Sequence, residues 1–184
     1  LTEGQPRITD VVPLEGVTQE ELLEVAIAVE SLSDHPLAVA IVKDAGARIT
    51  VPVRLNAVDL NNLIGRGVKA TIDSKPVWIG KAEMFGTEGI PSLSSQSKFI
   101  IDKLREDGRT TMFVRFDDKE LGAIGLLDTP RPGAKEALQE LRRLGISRMI
   151  MISGDHQKVA DAIAKEVGLD EAWGDLMPED KVKA

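Results

Sequence analysis

Two segments of this sequence pair a hydroxyl or a cation with a turn in a way that suits phosphate. Ile152-Ser153-Gly154-Asp155 follows an apolar run and precedes a helical pattern. Ligands of parallel sheets bind at the carboxyl ends of strands, and a helix N-terminus offers free N–H groups and the positive end of the dipole. Ser153 can hydrogen-bond a phosphoryl oxygen there. Asp155 can sit near a magnesium ion or simply cap the helix. Pro178-Glu-Asp-Lys181 follows the next strand region. Lys181 can meet a phosphate as a point charge, or stand as a solvated lysine at a helix start.

Three further groupings favour a nucleotide or a hinge. In Ser33-Asp34-His35-Pro36-Leu37 the proline excludes His35 from the α region and holds its imidazole at a helix entrance. With Glu30 five residues earlier, imidazole and carboxylate can stack on and hydrogen-bond an adenine; the plainer alternative is a structural helix cap. Gly65-Arg66-Gly67 lets a backbone approach a ligand closely, or makes an ordinary turn. Asp128-Thr-Pro-Arg131 has prolines at 130 and 132, which restrict the chain as a hinge rather than a loose linker. Asp128 and Arg131 can pair with each other, reach a ribose, or belong to a proline-rich turn.

The elements that must position these residues follow two grammars. Arg7 to Val12 reads as a short strand. Thr18-Gln-Glu-Glu21 is a capping box in front of a mostly buried helix carrying Leu22, Leu23, Val25, Ala26, Ile27 and Val29. A second helix runs from Pro36 to about Ala45 and stops at Gly46. Residues 55–60 read as a strand. Val68, Ala70 and Ile72 alternate with polar residues, turn at Ser74-Lys75 and return over Pro76 to Ile79, a hairpin signal. A helix with Phe99, Ile100, Lys103 and Leu104 ends at Gly108. Thr110–Phe116 and Leu121–Leu127 read as antiparallel strands. After Asp128 the grammar becomes α/β: a helical stripe of Ala134, Ala137, Leu138 and Leu141, then Arg148–Ile152 as a strand buried on both faces, then a helix with Val159, Ala160, Ile163, Ala164 and Val167 stopped by Gly168.

Composition removes other chemistries. The 184 residues contain no cysteine and two histidines, His35 and His156, which excludes disulfides, thiolate chemistry and a multi-histidine zinc site. A net charge of −7, with four Phe, two Trp and no Tyr, argues against nucleic acid as a partner. At 42% hydrophobic and 29% charged residues the chain can bury a core. It has no run of 18 apolar residues that would span a membrane as a helix.

The order of the motifs is more specific than any one of them. Glu30 with His35-Pro36-Leu37, then Gly65-x-Gly67, Asp128-x-x-Arg131, Ser153-Gly154-Asp155 and Pro178-Glu-Asp-Lys181 resembles the ATP-binding cytoplasmic region of P-type ATPases. The His-Pro-Leu element resembles the heavy-metal-transporting (type IB) subgroup. The likeness spans essentially the whole chain. Leu1-Thr2-Glu3-Gly4 is similar to the tail of the family's Asp-Lys-Thr-Gly-Thr-Leu-Thr motif, so the expectation is a chain that starts just after the phosphorylated aspartate of a longer protein.

That resemblance implies an α/β fold: a partial haloacid-dehalogenase-like phosphorylation domain (residues 1–13 and 122–184) with an inserted α+β nucleotide-binding domain on an antiparallel sheet (residues 14–121). It implies that Glu30 and His35 meet adenine, that Gly65 and Gly67 admit the nucleotide, that Asp128 and Arg131 form the hinge, and that Ser153, Gly154, Asp155 and Lys181 handle the transferred phosphoryl group. It implies ATP and Mg2+ as cofactors, and an integral membrane parent whose transmembrane and actuator domains are the partners of this cytoplasmic region. The transported heavy-metal ion would bind elsewhere in the parent, and the 184 residues alone would be inactive. Ser153 stands where the family usually has Thr, and His156 where Asn is common. Lys81 follows Gly80 where copper-type members often carry Asn, which tilts the expectation toward a zinc/cadmium type. Two rival readings are a haloacid-dehalogenase-type phosphatase with a large cap and a non-catalytic nucleotide-binding module. The first needs an Asp-x-Asp loop near the start, but Asp10 is followed by Val-Val. The second leaves Ser153-Gly-Asp155 and Lys181 without a role.

Overall fold

The computed structural model describes residues 1–3 and 5–176. The chain builds β1 (Arg7–Pro13), α1 (Gln19–Glu30), α2 (Pro36–Gly46), β2 (Ala57–Leu63), β3 (Gly67–Ile72), β4 (Lys75–Gly80), a 3-10 turn (Ala82–Met84), α3 (Ser95–Glu106), β5 (Thr110–Phe116) and β6 (Lys119–Leu127). These are followed by α4 (Ala134–Arg143), β7 (Ile150–Ile152), α5 (Gln157–Val167) and β8 (Glu171–Trp173). The first six strands form one antiparallel sheet in the order β1-β6-β5-β4-β3-β2.

Period-two patterning explains why this sheet is covered on both sides. On β4 Val77 and Ile79 face one layer and Trp78 the other; on β5 Val114 and Phe113 divide likewise. The first face packs Leu22, Leu23 and Ile27 of α1 and Ile41 of α2 against Ile72, Val77, Ile79 and Ile124. The second face packs Met84, Phe85, Ile101 and Leu104 against Trp78, Phe113 and Ala123, with Phe85 edge-on to Phe113 at 5.5 Å. Full burial of such side chains stabilises the fold by about 2 kcal/mol each.

Local chemistry sets the ends of these elements. Thr18 Oγ1 accepts from the Glu21 N–H at 3.1 Å, so half of the expected capping box forms. The other half does not, because the Glu21 carboxylate pairs with Lys119 at 2.9 Å. The β3–β4 turn lies one residue earlier than expected. Ile72 pairs with Lys75, so Asp73 and Ser74 make the two-residue connection, with φ of 49° and 61°. A two-residue turn of the I′ type has positive φ at both positions, and a short polar side chain tolerates it.

Beyond Asp128 the architecture changes, where the sequence pattern changes. β7 and β8 are parallel, Ile150 opposite Glu171, with α5 as the crossover. α5 buries Val159, Ala160, Ile163, Ala164 and Val167, as its periodicity requires, and ends at Gly168 with φ 84°. The expectation that β7 is buried on both faces is not met: Ile152 is 40% exposed. Among the described residues β7 has only β8 beside it, and a two-strand sheet is too narrow to shield the elements packed on it. For the same reason the apolar stripe of α4 contains no buried residue, and Leu141 is exposed.

Two chain crossings join the architectures. Residues before β1 run antiparallel to those after β6: Thr2 bridges to Pro130, the Glu3 N–H donates to Thr129 O at 3.0 Å, and the Arg131 N–H donates to Leu1 O at 3.0 Å. The six-stranded sheet itself includes all of β1 (Arg7–Pro13) and β6 (Lys119–Leu127).

Candidate functional site

The Ser153-Gly154-Asp155 loop leaves the carboxyl end of β7, as its sequence predicts. The Ser153 N–H extends the parallel pairing to Trp173 O at 2.8 Å. The Ser153 hydroxyl donates to the Asp155 carboxylate at 2.9 Å and accepts from the Asp155 N–H at 3.1 Å, which makes a tight local ring. Asp155 is therefore not the N-cap of the helix; His156 is, its Nδ1 accepting from the Lys158 N–H at 3.3 Å. Asp175 supplies a second acceptor at this helix end, taking the Gln157 N–H at 3.0 Å. The free N–H groups expected for phosphate are thus partly occupied by the chain's own side chains. Sequence reasoning missed Asp175, whose only signal is an acidic residue placed shortly after a strand.

Glu30 and His35 flank the short connection between α1 and α2. Glu30 closes α1 and is 3% exposed. Burial raises its carboxyl to about 7, because removing the charged form from water has no nearby cation to offset it. His35 is exposed and is the N-cap of α2, with Nδ1 accepting from the Leu37 N–H at 3.2 Å and Pro36 at the first helical position. Its Nε2 edge remains for another partner. A hollow of about 420 Å³ on the flank of this turn is lined by Arg7, Asp34, Pro36 and Lys43, among others, and includes neither Glu30 nor the glycine turn.

Gly65 has φ 72° and turns the chain from β2 into β3. Gly67 is needed for a different reason. A Cβ there would stand 2.3 Å from Ile79 O and 2.5 Å from the Cα of Gly80, its partner across the ladder. Gly80 is equally constrained, since a Cβ would meet Arg66 O at 2.5 Å. The paired glycines let the backbones around Arg66 and Ile79 and the Met84 side chain close over this end of the β3–β4 ladder.

Lys81 links this end of the ladder to the phosphate loop. Its backbone N–H donates to Arg66 O at 2.7 Å, and its ammonium donates to Gly154 O at 2.9 Å. The second tie across the two architectures is Lys158 to Glu106 at 2.9 Å, an exposed pair. Gly108 also closes on α5, where a Cβ would lie 3.0 Å from Ala162.

Asp128 and Arg131 do not pair. The Arg131 guanidinium donates to Thr2 O at 2.7 Å, which binds the two crossings together. Asp128 Oδ1 is buried without a partner among the described residues. Pro178 to Lys181, and with them the role expected of Lys181, lie outside the described residues.

The family model described as haloacid dehalogenase-like hydrolase matches residues 1–184. The chain belongs to the haloacid dehalogenase-like hydrolases. Within that family its relatives are heavy-metal P-type ATPases. It is 39% identical over 185 residues to the zinc/cadmium/lead-transporting P-type ATPase of Escherichia coli (strain K12), covering 100% of this chain and 24% of that protein. It is 36% identical over 181 residues to a copper-transporting P-type ATPase of Rhizobium leguminosarum bv. viciae, covering 98% of this chain and 21% of that protein. Among solved structures it is similar to the catalytic domain of the CPx-ATPase CopB-B, studied for conformational changes upon nucleotide binding. There the TM-score is 0.71 at 28% identity, over 100% of this chain and 60% of that one. The chain spans about a quarter of the length of the curated relatives it matches.

Proposed function

We propose that this chain is the ATP-binding and phosphoryl-handling region of a heavy-metal cation-transporting P-type ATPase. The observation that carries the reading is the convergence of the Gly65-Arg66-Gly67 turn and the Ser153-Gly154-Asp155 loop on Lys81, in a chain related along its whole length to such pumps. Adenine lies against Glu30 and His35, and the ribose and phosphates run past the turn at Gly65 and Gly67. The unit carrying that turn is residues 14–121; residues 1–13 and 122–184 belong to the phosphorylation domain, with Asp128 and Arg131 at the hinge.

In the longer protein an aspartate carboxylate attacks the γ-phosphorus. An O–P bond forms to the aspartate, the β–γ bridging O–P bond breaks, and ADP leaves. The Ser153 hydroxyl and Lys181 offset the charge that develops on the transferred group. Magnesium would supply further charge neutralisation when bound. In this chain the two carboxylates at the loop are already engaged, Asp155 by the Ser153 hydroxyl and Asp175 by the Gln157 N–H. Among the described residues no three His, Asp or Glu gather as a cage for magnesium, and the steps assigned to this chain do not run through it. The phosphorylated state then shifts membrane helices that carry the metal ion, and this region faces the cytoplasm. Among the described residues no helix is long and apolar enough to cross a membrane. Relatives of zinc, cadmium and copper types all match; the zinc/cadmium reading rests on Lys81 following Gly80.

Calorimetric titration with ATP and GTP tests the reading. ATP binds more tightly than GTP, and Glu30→Gln and His35→Ala each weaken ATP without unfolding the chain. Equal binding of the two nucleotides, or wild-type affinity in both variants, contradicts it.

A further inference from the structure

Lys81 is held more firmly at its backbone than a loop lysine is. Its N–H is bonded to Arg66 O at 2.7 Å, and the preceding residue, Gly80, has backbone atoms within van der Waals reach on the side where a Cβ would project. Its side chain then reaches Gly154 O, in a partly buried contact. The lysine ion pairs among the described residues are those of Lys75, Lys119 and Lys158, each with a carboxylate. Lys81 instead gives its charge to a neutral carbonyl. A phosphate oxygen adds charge–charge attraction to the hydrogen bond that a neutral carbonyl offers.

The surrounding charges leave that cation available. Arg66, beside it, is occupied by Glu88 at 2.7 Å. Asp155, next to Gly154, is bonded to the Ser153 hydroxyl at 2.9 Å. At the helix start behind the loop, His156 and Asp175 already take backbone N–H groups, so an incoming anion finds fewer donors there than the strand-loop-helix pattern suggests. Lys81 is therefore a cation beside this loop that no carboxylate holds among the residues described.

We propose that Lys81 is a polyphosphate-responsive strap: without nucleotide its ammonium ties the β4 end of the sheet to Gly154, and with nucleotide it leaves the carbonyl for a phosphate oxygen. This rests on the nucleotide reading above. It adds a phosphate contact and a released tether that Glu30, His35 and the glycines do not supply. Binding of the adenine end alone leaves the strap in place; binding of the phosphate chain frees the Gly154 carbonyl beside Ser153.

The test compares adenosine, ATP and inorganic tripolyphosphate on the 184-residue chain, its Lys81→Met variant, which keeps the apolar stem, and its Lys81→Arg variant, which keeps the charge. Affinity is read by calorimetry and the state of the strap by the backbone carbonyl shift of Gly154. The proposal expects ATP and tripolyphosphate, but not adenosine, to move the Gly154 signal in the parent chain. It expects Lys81→Met to weaken ATP by about tenfold or more with adenosine unchanged, Lys81→Arg to recover most of the loss, and thermal unfolding to coincide for all three. Adenosine binding with an unchanged ATP-to-adenosine ratio in Lys81→Met overturns the strap and leaves the nucleotide site standing. A tripolyphosphate response lost in Lys81→Met, with no adenosine binding, supports the phosphate contact and removes the adenine site. No response to any of the three overturns both.

Discussion

The ammonium of Lys81 donates to the carbonyl of Gly154 at 2.9 Å. These residues lie 73 positions apart in sequence and on different architectures, one at the end of an antiparallel strand and the other after a parallel one. The contact joins two segments that the sequence marks separately as phosphate-suited or ligand-suited. It is also partly buried, unlike the exposed Lys158–Glu106 pair, which contributes about 0.2–1 kcal/mol at most.

Glu30 sets a pH dependence. Its folded-state value of about 7 lies above the ordinary 4.5. The unfolded chain ionises first, so the folded state binds more protons between those values and stability falls as pH rises through them. The loss is on the order of 3 kcal/mol once pH exceeds 7. Glu30→Gln removes it: urea unfolding at pH 8 shows the variant more stable than the parent chain, with little difference at pH 4.5. An equal difference at both pH values would mean that burial does not govern this carboxyl.

Gly67→Ala tests the close approach at the paired glycines. The new Cβ meets backbone at 2.3 Å, which only a shift of β3 against β4 relieves. Overpacking of this kind costs about 1–3 kcal/mol. Denaturation midpoints read the loss, and Gly16→Ala, where nothing lies within 4 Å of the added atom, is the comparison for close packing. Similar losses at both sites would show that backbone approach is not what selects glycine at 67.

Asp175→Ala removes an acceptor from the start of α5. Loss of a cap costs about 0.5–2 kcal/mol, and amide exchange should speed up first at Gln157, whose N–H the carboxylate holds at 3.0 Å. Unchanged protection at Gln157 would assign that N–H another partner.

How far the sequence could be read follows from how local each cause is. α1, α2 and α5 were legible because their periodicity, the Thr18 cap of α1, the Pro36 start of α2 and the Gly168 stop of α5 lie within or beside each segment. The switch at Asp128 was legible because alternation gives way to helical spacing there. The β3–β4 turn slipped by one residue because positive φ at Asp73 and Ser74 follows from cross-strand pairing, not from the pair's own identity. The burial of β7 was overstated because an apolar run reveals an appetite for cover, not what supplies it. In the candidate site, Ser153 and Asp155 were legible as neighbours, but their bond to each other and the cap by Asp175 are three-dimensional facts. Lys81 was visible only as a departure from a family pattern. Its reach to Gly154 depends on the packing of two segments far apart in the chain.

The central claim is that nucleotide binds along Glu30, His35, Gly65 and Gly67 and extends to the Ser153 loop. Amide NMR shifts of the 184-residue chain during ATP titration test it most directly. The account predicts the largest shifts at residues 30–37, 65–67, 80–81 and 153–155. Shifts confined to other residues, with these four segments unmoved at saturation, would contradict it.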